Sequence, residues 1–140
     1  MFATEINYLA MIVAGLATYA IGALWYSPVL FMNEWMKVAG LDKKKNTKVA
    51  QSQMVRMYTL GLVANMIAAF VLARLLVWTR AGDDLVGALK IGGWLWLGFI
   101  AVWMINSWLY ESKPIKYFVI NSGYALVTVL VGAAILTLWR

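Results

Sequence analysis

Four long apolar runs leave this chain few media in which it can fold. They cover about residues 6–26, 57–79, 86–109 and 116–139. Each reaches the ~20 helical residues needed to cross ~30 Å of hydrocarbon. Of the 140 residues, 64% are hydrophobic and only 13% are charged. A water-soluble domain of this size leaves roughly a third of its unfolded surface exposed and cannot hide so much apolar area. Lipid must therefore replace water around it. In lipid, backbone polar groups have to bond internally, which restricts spanning segments to helices and closed barrels. The runs lack the apolar/polar alternation of barrel strands. The reading is an all-α integral membrane protein, one domain over 1–140, with four transmembrane helices.

The distribution of charge predicts how the helices are threaded. The loop over residues 27–56 holds Lys37, Lys43, Lys44, Lys45, Lys48 and Arg56, and the loop before the fourth helix holds Lys113 and Lys116. These two loops lie on the same side and carry eight of the twelve basic residues. The positive-inside rule then expects both loops in the cytoplasm and both termini outside, in the cytoplasmic (inner) membrane of a bacterium-like cell. The net charge of +6 reads as a topology signal and as a contact with anionic lipid headgroups at the Lys-rich loop. No nucleic-acid partner is expected. The segment before the first run carries Glu5 and no Lys or Arg, so the run reads as a retained helix and not as a cleaved signal.

The missing residue types narrow the chemistry. With no Cys and no His, thiol, disulfide, imidazole and thiolate-metal chemistry are excluded. No Asp or Glu lies in a membrane interior, so proton coupling through a buried carboxylate has no candidate group. Gly92-Gly93 with Gly98 lacks the Lys-Ser/Thr of a phosphate loop. The expectation is no enzyme, no cofactor and no metal site.

The loop over residues 27–56 predicts a short interfacial helix. Ser27 would cap it, Pro28 would open it, it would run over residues 29–39, and Gly40 would close it. Asn46 or Thr47 would cap the next helix. Trp25, Tyr26, Trp35, Trp108 and Tyr110 fall near one boundary, and Trp78 and Trp139 near the other, as an interfacial belt does. Trp94, Trp96 and Trp103 sit deeper, facing either lipid or protein.

Small residues recur at about four-residue spacing: Ala10, Ala14, Thr18 and Gly22 on the first helix, Gly61, Asn65, Ala69 and Ala73 on the second, Asn121, Ala125, Thr128 and Gly132 on the fourth. Such faces let helix backbones approach closely, which drives association in lipid. They predict packing within the bundle, with a homo-oligomer contact or a small polar lumen as the functional alternatives. Asn65 lies near mid-membrane, where an interhelical hydrogen bond contributes roughly 0.6–2 kcal/mol. Arg74 is a charge inside the second span; it lies close enough to the boundary to snorkel or to pair with Glu5.

Ile6-Asn7-Tyr8-Leu9-Ala10, Gly22-Ala23-Leu24-Trp25-Tyr26-Ser27-Pro28, Leu30-Phe31 and Trp35-Met36-Lys37 resemble the membrane family labelled domain of unknown function 1761, and Asn121, Gly123, Tyr124 and Leu126 resemble its last segment. The resemblance implies a small four-helix membrane protein and carries no catalytic residues with it. It marks Asn7, Trp25, Tyr26, Ser27, Pro28 and Trp35 as the candidate functional corner. Two functions stay open: an accessory bundle that self-associates or joins a larger membrane protein, and a small-solute channel or carrier built as a homo-oligomer.

Overall fold

A computed structural model of the protein describes residues 5–40 and 51–139. Its spanning helices are α1 (Tyr8–Trp25), α3 (Gln51–Trp78), α4 (Leu85–Tyr110) and α5 (Ile115–Leu138), each long and apolar enough to cross a membrane. A short helix, α2 (Met32–Ala39), lies between the first two. This is the multi-pass, all-α architecture that the apolar runs predict.

Local chemistry sets the helix ends. Asn7 caps α1, its Oδ1 accepting from the Ala10 N–H at 3.1 Å. Asp84 does the same for α4 with the Gly87 N–H at 2.6 Å. Each satisfies one of the amides that a helix start leaves without a partner. Gly40 closes α2 at φ 76°, the left-handed conformation glycine adopts without strain.

The start of α2 departs from expectation. It begins at Met32, and Ser27 does not cap it. The Ser27 hydroxyl instead donates back to the Leu24 carbonyl at 2.6 Å. The Ser27 carbonyl accepts from Leu30 and Met32, which makes Pro28 the second residue of a tight turn and not the first of a helix. Residues 41–50 lie outside the described residues, and with them the predicted caps Asn46 and Thr47 and the lysines of the headgroup contact, Lys43, Lys44, Lys45 and Lys48.

In the bundle, α5 packs along both α1 and α4, while α3 packs chiefly along α1. The three small-residue faces are consumed inside it. Ala10, Ala14, Thr18, Ala69, Ala73 and Gly132 are buried, Ala125 and Gly61 half-buried. Gly132 faces Leu72 and Thr18, Gly22 lies under Tyr124, and Gly61 under the Tyr19 ring. Among the described residues no large side chain is fully buried. The contact is made by close backbones and not by interlocking large side chains, as expected where lipid removes the hydrophobic drive.

Near the turn that joins α3 to α4, these two helices and α5 share a small core of Leu72, Leu76, Ala88 and Ala133, and the last of these belongs to α5. Farther along, a cleft of about 360 Å3 opens between α3 and α4, lined by Asn65, Ala68 and Leu72 on one side and Leu95, Phe99 and Ile100 on the other. Alongside this cleft, α4 winds into a π-helix over Trp96–Ala101. Such turns are uncommon and recur at functional sites.

Candidate functional site

The exit of α1 builds the most densely bonded part of the molecule. Trp25 is the last residue of α1, and its indole N–H donates to the Ile120 carbonyl at 3.1 Å. The Tyr26 hydroxyl donates to Asn121 Oδ1 at 2.6 Å, and the Trp35 indole N–H donates to the same oxygen at 3.1 Å. The rings reinforce these bonds. Trp25 lies 4.7 Å from Phe31 between centroids, and Tyr26 stands edge-on to Trp35 at 5.6 Å and to Tyr124 at 5.4 Å. Such tilted and edge-on arrangements suit the ring quadrupoles. Five of the six residues of the predicted corner are therefore brought together, with Ser27 and Pro28 supplying the turn that returns Trp35 toward Tyr26.

The sixth is not. Asn7 stands at the opposite end of α1, about 27 Å away at 1.5 Å per residue. There it caps the helix and donates to the Trp139 carbonyl at 3.3 Å. It ties the two terminal segments together and has no part in the corner.

Asn121 is the residue that the sequence reading undervalued. Two protein donors converge on its carbonyl oxygen. The signal was depth: Asn121 lies a turn and a half inside α5 on the Lys-rich side, level with Tyr26. The same end is laced by charge. Lys116 Nζ pairs with Glu34 Oε2 at 2.5 Å and Lys113 Nζ donates to the Ala39 carbonyl at 2.8 Å, so both lysines hold α2 against the start of α5. The hydrogen bond and charge of Lys116 hold the exposed Glu34 carboxyl below its ordinary pKa.

Asn65 and Arg74 stand within the spans. Asn65 donates to the Gly61 carbonyl of its own helix at 2.9 Å, because an amide one turn on can reach that carbonyl, and its side chain also engages the Tyr124 hydroxyl of α5. Arg74 forms no ion pair with Glu5 among the described residues; its guanidinium lies 5.7 Å from the centre of the Trp78 ring, close to the boundary, as snorkelling predicts.

Above Asn65, toward the Lys-rich end, a second cavity of about 390 Å3 is lined by Tyr19, Gly22, Ala23, Tyr26, Tyr58, Gly61, Asn65 and Tyr124. Asn65 lines both this cavity and the apolar cleft and so stands between them. Of the deep tryptophans, Trp96 points inward and donates to the Ser122 carbonyl at 2.8 Å. Trp94 and Trp103 are each 69% exposed and have no hydrogen-bond partner among the described residues.

A family model described as a protein of unknown function, DUF1761, matches residues 9–137, which takes in the whole corner and both cavities and leaves out Asn7. No curated protein and no solved structure matches the chain.

Proposed function

We propose, for a chain that belongs to the DUF1761 family, the role of a non-catalytic accessory bundle that self-associates through the outer surface of α4 in the cytoplasmic membrane. One observation carries this reading. At mid-membrane depth, α4 presents Trp94 with an indole N–H that has no acceptor among the described residues, and one turn along it Gly98, where an added Cβ would meet nothing within 4 Å. An unbonded polar group is costly in hydrocarbon, and an uncovered glycine lets another backbone come close. A second copy docked on α4 answers both. The small-residue faces of α1, α3 and α5 are already occupied within the bundle, so they do not compete for this role.

The test is protein mass in lipid nanodiscs or mild detergent. The native protein is expected at a multiple of 15.7 kDa, and Gly98→Leu at 15.7 kDa with its helical signal intact. A native protein that stays monomeric at every accessible concentration overturns the reading. The orientation is tested separately: reporter fusions at Lys44 and Asp83 should report the cytoplasm and the outside respectively. The same side for both rejects the threading.

A solute-handling role is the second reading, and a specific observation favours it. The tyrosine-lined cavity and the apolar cleft lie on either side of Asn65, one toward the Lys-rich boundary and one at mid-membrane. Carriers place their sites at that depth, between helices.

A further inference from the structure

We infer that the tyrosine-lined cavity and the cleft below it form one binding site for an amphiphilic organic cation, with a quaternary ammonium head among the tyrosines and an alkyl chain between α3 and α4. This goes beyond self-association and does not depend on it, since the site lies within one copy.

The head chemistry follows from where the protons go. The Tyr19 hydroxyl donates to the Tyr58 carbonyl at 3.2 Å, and the Tyr26 hydroxyl donates to Asn121. Asn65 spends one amide N–H on Gly61, and its side chain also engages the Tyr124 hydroxyl. With the Tyr19 and Tyr26 protons committed to the protein, what the cavity wall chiefly offers a ligand is the π-systems of four phenol rings. Among the described residues no charged side chain lines it. An anion would meet electron-rich surface with no cation to balance it. A primary ammonium would lose strong hydration with no carboxylate to replace it. A quaternary ammonium is weakly hydrated, needs no acceptor, and is held by ring quadrupoles.

The chain follows from adjacency. Asn65 borders both spaces, and beyond it the wall turns apolar, with Ala68, Leu72, Phe99 and Ile100. A straight alkyl chain leaving the head at Asn65 would fill that cleft.

The probe is decyltrimethylammonium, kept well below micelle formation, in nanodiscs free of choline lipid, with empty nanodiscs subtracted. Saturable binding is expected. Tyr19→Leu and Tyr124→Leu should each weaken it by roughly tenfold, whereas Tyr19→Phe and Tyr124→Phe should stay within about threefold, because the ring and not the hydroxyl holds the cation. Ala68→Trp, which fills the cleft, should abolish the gain of decyltrimethylammonium over tetramethylammonium. It also keeps the test alive if a leucine variant fails to fold. Replacing ethanolamine lipid by choline lipid identifies the source: competition assigns the head site to a lipid headgroup, its absence to a free amphiphile, and either upholds the cation chemistry. Equal binding of neutral decanol, or leucine variants that fold and bind as the native protein does, overturns the proposal.

Discussion

Asn121→Leu should destabilise the protein by about 2–4 kcal/mol, although it replaces one uncharged side chain by another of similar size. Asn121 Oδ1 accepts from both Tyr26 and Trp35, and both donors are partly buried. Leucine leaves the hydroxyl and the indole N–H without an acceptor, and each such loss costs ≈ 1–3 kcal/mol where water cannot substitute. The single changes Tyr26→Phe and Trp35→Phe remove only one bond each and should cost about 0.5–1.5 kcal/mol. The triple variant Asn121→Leu/Tyr26→Phe/Trp35→Phe should then recover much of the loss, because no donor is left stranded. Chemical denaturation in mild detergent, followed by tryptophan fluorescence, reads all four. A neutral Asn121→Leu would show that water serves Tyr26 and Trp35 equally well, and that Asn121 does not hold the corner.

The route to that residue shows what the sequence could and could not disclose. Depth was legible. Apolar length placed the four spans, and the aromatic residues placed their boundaries, because lipid imposes both independently of tertiary contacts. Gly40 announced its own turn. Azimuth was not legible. Asn121 and Asn65 sit in similar apolar surroundings, yet one binds two residues 95 and 86 positions away while the other bonds within its own helix. Only the packing of α5 between α1 and α4 decides this. Asn7 shows the opposite error. It shares a linear motif with Trp25, but 18 helical residues carry it to the other face of the membrane. The Ser27-Pro28 pair was misplaced by a local ambiguity, since a hydroxyl can cap the helix ahead or bond back to the one behind. The π-helix in α4 left no signal beyond Gly98, and the cleft beside it depends on which helices fail to touch.

The small-residue faces make the strongest case for a large effect from one added side chain, and geometry ranks the positions. Gly15 is buried where α1 crosses α3, although it stands one residue away from the predicted stripe. A Cβ placed there would meet Met66 Sδ at 2.5 Å and the Met66 Cα at 3.4 Å. The sulfur can swing aside, but the backbone cannot, and the remaining atoms of a leucine must enter that space. At Gly22 the nearest atom is the Tyr124 hydroxyl at 2.8 Å, the tip of a ring that can rotate away. Overpacking costs typically 1–3 kcal/mol, occasionally more. Against it stands the gain of up to ~1 kcal/mol from replacing glycine within a helix. Gly15→Leu should therefore lose about 2 kcal/mol or more and loosen α3 from α1, while Gly22→Leu should lose about 1 kcal/mol or less. Thermal unfolding in detergent gives the ranking, and a cysteine pair introduced across α1 and α3 reports the separation by its slower crosslinking in Gly15→Leu. If Gly22→Leu proves the more damaging, or if Gly15→Leu unfolds as the native protein does, α1 and α3 do not approach at Gly15, and the close-backbone packing of this bundle is wrong at its tightest point.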